Sequence, residues 1–281
     1  MVLAAAGEGA EPVSSAGEAV SAASAALAAA GCETPRLDAE LLIADAIGVD
    51  RAALHAHPEL PVGARAARVA MERIRRRGMR EPVAYILGRR AFRHIELAVD
   101  ARVLIPRPET ELLVEVAADL AAAGARVHDV GTGSGAVALA LRHERPDLAV
   151  SASDASDAAV AVASANAARL GLELDLCVAA GLPVEVAPRV DLVVANLPYV
   201  RDDEWRWLEP EIVRYEPRAA LAGGEDGLDP IRALIAAAPA GVAMALEHAP
   251  AQAEAVRELL DDAETRADLA GRPRVTHGRV R

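Results

Sequence analysis

Lysine is absent from this chain, so the 30 basic side chains among its 281 residues are all arginine. Aromatic residues are almost as scarce, at 2%, with one phenylalanine. A core must therefore be assembled from alanine, valine and leucine, and a hydrophobic content of 53% supplies enough of them. The two cysteines, Cys32 and Cys177, are too few and too far apart for a disulfide framework or a cysteine zinc site. His55, His57, His94, His128, His143, His248 and His277 show no metal-ligand spacing, so no metal is expected. No apolar run approaches the roughly 20 residues of a membrane span. The opening stretch lacks a basic segment and carries Glu8 and Glu11, unlike a secretory signal. A cytoplasmic protein with no membrane partner is the expectation.

Positive charge is also in deficit. A formal net charge of −12 argues against broad binding to nucleic acid, which depends on neutralising phosphates. The one local exception, residues 73–80 (RIRRRGMR), reads as a solvated helix end where cations suit the dipole.

The length allows two domains. Residues 1–13 look disordered, and residues 14–88 form a small helical bundle with helices at 16–30, 35–47 and 63–77. Gly31, Gly48 and Gly78 close these helices, and residues 81–88 add a short helical turn. A connector spans 89–108, where residues 92–104 alternate apolar and polar around Val99-Asp100 as a β-hairpin would. A helix over 109–123 opens the last region, 109–281. Strands at 126–130, 149–153, 175–178, 192–195 and 242–247 then alternate with helices starting near Ala136, Ser156, Asp229 and Ala251. That alternation predicts an α/β fold, a Rossmann-like, doubly wound parallel sheet. Residues 265–281 add an antiparallel closing hairpin with Gly271-Arg272-Pro273 at its turn.

Three motifs fall at strand ends of this sheet. Gly131, Gly133 and Gly135 place a glycine turn (Asp129-Val130-Gly131-Thr132-Gly133-Ser134-Gly135) between the first strand and its helix, where backbone N–H groups approach a ligand closely. The spacing G-x-G-x-G differs from the dinucleotide fingerprint G-x-G-x-x-G. Asp154 ends the second strand, where a carboxylate accepts hydrogen bonds from ribose hydroxyls. A helix cap is the other reading of Asp154, although Ser156 or Asp157 could fill that role. The fourth strand runs into Asn196-Leu197-Pro198-Tyr199. The nitrogen of a planar amino group is a poor nucleophile because its lone pair is delocalised. Two acceptors on its hydrogens, the Asn196 side-chain oxygen and the Leu197 carbonyl, can aim that lone pair at a methyl donor. Pro198 holds Leu197 extended, and Tyr199 offers a face to a planar substrate. Glycine loop, ribose acid and Asn-x-Pro-Tyr occur in the order of a class I S-adenosylmethionine-dependent methyltransferase.

Further segments extend the pattern over almost the whole chain: residues 35–42 (PRLDAELL), 81–88 (EPVAYILG), 104–111 (LIPRPETE) and 215–221 (YEPRAAL). With these, the sequence resembles the PrmC/HemK family of protein-(glutamine-N(5)) methyltransferases, which modify bacterial peptide chain release factors. The resemblance implies methyl transfer from S-adenosyl-L-methionine to the glutamine of a Gly-Gly-Gln loop, held as an extended backbone between two domains. It implies that Gly131, Thr132, Gly133, Ser134, Gly135, Asp154, Leu182 and Asn196 hold the cofactor. Asn196, Leu197, Pro198, Tyr199, Phe92 and Arg107 would contact the substrate, with Asn196, Pro198 and Tyr199 catalytic. Phe92 matches a family aromatic, and a core position in the connector is its other reading. The expected partner is the release factor itself, met by a monomer without direct nucleic-acid contact.

Two departures stand out. Leu197 replaces the first proline of the family's usual Asn-Pro-Pro-Tyr, keeping the carbonyl but adding an N–H and losing rigidity. Residues 179–183 (AAGLP) replace an acidic-aromatic pair beside the adenine, leaving backbone and apolar contacts there. Two rivals use the same motifs: a nucleic-acid amino-methyltransferase of the adenine-N6 type, and a cofactor-binding member that has lost catalysis. Glu247-His248, at the end of the fifth strand, reads as structural.

Overall fold

Ala16, Ala23, Ala39 and Ala44 take inward positions on the first two helices, where a small side chain lets helices approach closely. A computed structural model describes residues 14–281; the stretch 1–13, expected to be disordered, lies outside the described residues. Two compact units meet in sequence at Leu87 and Gly88. The first holds α1 (Ala16–Ala29), α2 (Pro35–Ile47), α3 (Arg51–Ala56), α4 (Ala64–Gly78) and α5 (Val83–Leu87). A capping box of Ser15 and Glu18 starts α1, and Gly48 ends α2 in the left-handed conformation. Ala16, Val20, Ala23, Leu27, Ala39 and Ile43 supply the centre of its core.

The arginine run of α4 is not the solvated helix end expected. Arg73 pairs with Asp45, Arg75 with Glu72, Arg76 with Glu81 and Arg77 with Asp38. The Arg77–Asp38 pair, at 2.7 Å, is buried on both sides. Removing one partner of such a pair strands a buried charge, at a cost of about 3–5 kcal/mol.

The second unit opens with a hairpin, β1 (Arg89–Phe92) and β2 (Ile95–Ala98). Its turn is at Arg93-His94, with Arg93 at φ +48°, and not at Val99-Asp100 as the alternation suggested. The alternating Ile95, Leu97 and Val99 are all buried, so the pattern belongs to one strand and its continuation. After a 3-10 turn (Pro108–Thr110) come α6 (Glu111–Leu120), β3 (Arg126–Val130), α7 (Ala136–Glu144), β4 (Ala149–Asp154), α8 (Asp157–Leu170), β5 (Asp175–Val178) and β6 (Leu192–Ala195). The chain continues through β7 (Val200–Arg201), α9 (Pro210–Tyr215), β8 (Ala222–Gly224), α10 (Asp229–Ala237), β9 (Ala243–Glu247), α11 (Ala253–Arg257), β10 (Asp261–Ala267) and β11 (Pro273–Arg279). Among the described residues, α3, α9, the small β7–β8 pair and the 3-10 turns Trp205–Trp207 and Arg218–Ala220 have no counterpart among the expected elements; their apolar content is too short to show a period.

Seven strands form one sheet in the order β5-β4-β3-β6-β9-β11-β10. The first five run parallel, and β11 lies antiparallel between β9 and β10, as the alternation and the closing hairpin predicted. Val127, Val130, Val193, Val194, Met244 and Leu246 bury the strands on both faces. The order reverses between β3 and β6, and open α/β sheets bind ligands at the carboxyl ends of strands at such a switch point.

Candidate active site

The glycine turn leaves β3 at this switch point. Gly131, Gly133 and Gly135 all take positive φ, at +76°, +56° and +84°. The N–H groups of Gly131 and Thr132 donate to the Ser153 carbonyl, which ties the turn to β4. The Thr132 hydroxyl donates to Asp129 at 2.7 Å, and burial pushes that carboxyl up to about 7. A Cβ on Gly135 would meet Leu139 at 2.8 Å and Ala163 at 3.3 Å, so Gly135 serves packing between the two helices that follow β3 and β4.

Asp154 lies opposite the turn. One carboxylate oxygen accepts the Gly133 N–H at 2.9 Å and the other accepts the Ser156 N–H at 2.9 Å. The cap of α8 is Ser156, whose hydroxyl accepts from the Ala159 N–H. Of the two readings of Asp154, the helix cap is thus taken by its neighbour, and the Asp154 carboxylate faces a cavity.

That cavity, of about 340 Å³, is lined by Gly131, Gly133, Asp154, Ala179, Gly181, Asn196, Leu197 and Pro198 among others. Pro217, Ala219 and Ala220 close it from one side and Arg102, Val103 and Leu104 from another. Its volume is within the range of small-molecule sites. A smaller space of about 50 Å³ adjoins, bordered by Pro106, Arg107, Thr110, Thr132, Ser134 and Asn196. Asn196 borders both.

The Asn196 amide nitrogen donates to the Thr110 hydroxyl at 3.0 Å. No described group donates to its Oδ1, and none donates to the Leu197 carbonyl. Both acceptors are therefore unspent. The Leu197 side chain is partly buried and packs against the core cluster that includes Val130, Val193 and Leu246. Tyr199 sends its hydroxyl to Glu247 at 3.4 Å, and burial raises its pKa. Its carbonyl accepts from Gln252 at 3.1 Å. Arg107 pairs with buried Glu216, which also accepts the Ile105 N–H at 3.3 Å. The segments around 105 and 216 are thus fastened together.

Four expected site residues, Phe92, Gly135, Leu182 and Tyr199, line neither cavity. Phe92 is 1% exposed and lines neither cavity; it packs within the hairpin. Leu182 is buried in the core, and Gly181 lines the cavity in its place. Tyr199 lines neither cavity and is held by Glu247 and Gln252.

Comparison with known proteins agrees with this architecture. The family described as PrmC N-terminal domain matches residues 18–88, and that described as Methyltransferase small domain matches residues 108–224. The release factor glutamine methyltransferase of Xylella fastidiosa (strain Temecula1) is 42% identical over 91% of this chain and 97% of its own length. That of Pseudomonas aeruginosa is 44% identical over 86% of this chain and 92% of its own. That of Rhodospirillum rubrum is 40% identical over 91% and 82% respectively. The chain belongs to the release factor glutamine methyltransferase family.

For a release factor glutamine methyltransferase family member, three residues near the Asn-x-Pro-Tyr segment escape sequence reasoning: Thr110, Glu216 and Glu247. Thr110 and Glu216 sit inside segments that carry the family resemblance, which was the available signal. Glu247 reads with His248 as structural, because nothing local to a strand end shows its contact with Tyr199. It is 1% exposed, and burial raises its pKa to about 7. Its neighbour His248 is held between the Ala249 carbonyl and the Thr276 hydroxyl, in keeping with a structural role.

Proposed function

We propose that this chain transfers a methyl group from S-adenosyl-L-methionine to the side-chain nitrogen of the glutamine in the Gly-Gly-Gln motif of peptide chain release factors. The observation that carries the proposal is the pair of unspent acceptors, Asn196 Oδ1 and the Leu197 carbonyl, beside a cavity of about 340 Å³. Membership of the family supports the same substrate.

The residues present fit the cofactor. Gly131 and Gly133 leave the floor of the cavity bare, and a Cβ on Gly131 would crowd Leu197 at 3.0 Å. Each Asp154 oxygen accepts one backbone N–H and keeps lone-pair capacity for ribose hydroxyls. Ala179 and Gly181 offer an apolar, backbone-rich wall to the adenine. When bound, the cofactor supplies an electrophilic methyl on a sulfonium centre.

The protein's part is orientation. Asn196 Oδ1 and the Leu197 carbonyl each accept one N–H of the glutamine carboxamide, which fixes the plane of the group and directs the nitrogen lone pair. Pro198 restricts Leu197 to extended geometry, so that its carbonyl keeps a fixed direction. Arg107, held by Glu216, borders the smaller space through which the substrate backbone is read as passing. The methylated nitrogen is strongly acidic and gives its extra proton to water, so no protein base is required. The formal net charge of −12 suits a protein partner better than a phosphate backbone. The enzyme is read as a cytoplasmic monomer.

The test is mass spectrometry of a bacterial release factor after incubation with the protein and S-adenosyl-L-methionine. A gain of one methyl on the Gly-Gly-Gln glutamine is expected. No gain there, with methylation of duplex DNA or ribosomal RNA in parallel reactions, overturns the proposal.

A further inference from the structure

The chain contains only three carboxamide side chains, Asn166, Asn196 and Gln252. Two are fully engaged. Asn166 accepts the Ala98 N–H and donates to the carbonyls of Ala98 and Ser134. Gln252 accepts the Ala249 N–H and donates to the carbonyls of Tyr199 and Asp226. Asn196 alone is fastened at one end only, by its nitrogen to the Thr110 hydroxyl at 3.0 Å. A carboxamide turned end for end has nearly the same shape, so contact shape does not choose between the two orientations. Something must decide which end enters the site.

Thr110 is 4% exposed, and a hydroxyl has one proton to give. If Thr110 gave that proton to Asn196, the carboxamide oxygen would be consumed and the nitrogen would face the cavity. It accepts from Asn196 instead, which leaves its own proton for another acceptor. The acceptor at hand is Glu247. The parallel register sets Ala195 of β6 beside Leu246 of β9, which brings the following residues, Asn196 and Glu247, to the same level. Glu247 Oε1 receives the Tyr199 hydroxyl, while Oε2 is buried with no hydrogen-bond partner. Thr110 forms no hydrogen bond to Oε2 in this arrangement, but its hydroxyl proton has no other acceptor among the described groups, and its presence favours the ionised carboxylate.

We propose that Glu247 is a positioning residue for methyl transfer: by claiming the Thr110 proton, it obliges Asn196 to present Oδ1, and not its nitrogen, to the substrate. This rests on the reading of Asn196 as an acceptor for the glutamine carboxamide. The same carboxylate holds the Tyr199 hydroxyl, so it governs both ends of the Asn-Leu-Pro-Tyr segment. Protonation of Glu247 releases Thr110 to donate elsewhere, and the orientation of Asn196 is then no longer enforced.

The groups facing Glu247 come from several elements. Burial raises its pKa to about 7, while Thr110 of the 3-10 turn, Tyr199 after β6 and Arg274 of β11 act to lower it; Glu109 acts to raise it. Neutral pH therefore divides the two protonation states, and the orientation of Asn196 is expected to follow.

Scarcity of carboxamides makes this directly observable. In a ¹⁵N-labelled protein, only three carboxamide NH2 pairs appear, and Asn196→Ala identifies one of them. Between about pH 5.5 and about pH 9, the Asn196 pair is expected to titrate with a midpoint near neutrality, and the Asn166 and Gln252 pairs to stay fixed. In Glu247→Gln, the Asn196 pair should no longer titrate. With a release factor as substrate, Thr110→Val should lower kcat about tenfold or more with KM changed less than about threefold, and Thr110→Ser should restore it. The pH dependence of kcat near neutrality should vanish in Glu247→Gln. The proposal is overturned if the Asn196 pair does not titrate, if it titrates equally in Glu247→Gln, or if Thr110→Val keeps kcat within about twofold. Should Glu247→Gln fail to fold, the wild-type titration and the Thr110 variants still decide. Should the wild-type protein methylate no release factor, the functional proposal falls, and the titration judges the carboxamide orientation separately.

Discussion

Leu197 Cδ2 stands 3.0 Å from the point a β-carbon on Gly131 would occupy. The glycine turn and the Asn-Leu-Pro-Tyr segment are therefore in van der Waals contact, and the residue replacing the family's proline makes that contact. At φ +76° the Gly131 backbone also lies where side chains other than glycine are strained, by roughly 1–2 kcal/mol. Gly131→Ala is expected to weaken binding of S-adenosyl-L-methionine by about tenfold or more, which titration calorimetry measures directly. An affinity within twofold of wild type would place the cofactor elsewhere.

Replacing Leu197 with proline tests what the departure from the family pattern does. No hydrogen bond uses the Leu197 N–H among the described residues, and the carbonyl is retained. Methyl transfer should stay within about threefold of wild type, since the second acceptor survives. Loss of the leucine side chain from its packing against the core cluster should lower stability by about 1–2 kcal/mol, read from urea unfolding.

Asn196→Ala removes the other acceptor. Turnover on a release factor is expected to fall by about a hundredfold or more, in line with losing a preorganised polar group at a reacting centre. Cofactor binding should be weakened but measurable, because Gly131, Gly133 and Asp154 are untouched. Near-normal turnover would defeat the two-acceptor account.

Asp129 gives a stability signature. Burial raises its pKa from 3.8 to about 7, with the Thr132 hydroxyl acting in the opposite sense. A carboxyl whose folded pKa is raised contributes stability that is complete below its unfolded pKa and is lost as pH rises, with the loss finished near pH 7. Asp129→Asn keeps an oxygen for Thr132 and removes the titration. Its stability relative to wild type should improve as pH rises from about 4 to about 7, by at most roughly 1.4 kcal/mol per pH unit, and then level off. Buried His128 and His248, both with lowered pKa, act in the opposite direction below their ordinary value, so only the difference between variant and wild type isolates Asp129. A pH-independent difference in thermal or urea melts would show that Asp129 ionises normally.

Much of the sheet could be read from short runs of valine and alanine bounded by glycine, since a strand buried on both faces needs little else. The start of β3, β4 and β5 at Arg126, Ala149 and Asp175 follows from such runs. The hairpin turn was misplaced because period-2 alternation marks a strand without saying where its partner lies. Arg93, which turns the chain at φ +48°, is not a typical turn residue; it is held there by Glu111, Glu115 and Glu144. Phe92 could be placed only once the hairpin had a register, and that register turns it into the core.

The amino-acid order by itself determined the parallel sheet, the glycine turn, the acid after β4 and the Asn-Leu-Pro-Tyr segment after β6, because each is local in the chain and has its own backbone or side-chain chemistry. Tertiary structure alone decided how those groups are held. Thr110 reaches Asn196 across 86 positions, and Glu247 reaches Tyr199 across 48. No local pattern encodes such distances. The second follows from the pairing of β6 with β9, which brings a buried carboxylate level with the asparagine, and the first from the 3-10 turn before α6, which brings Thr110 to the asparagine's nitrogen and leaves its oxygen free.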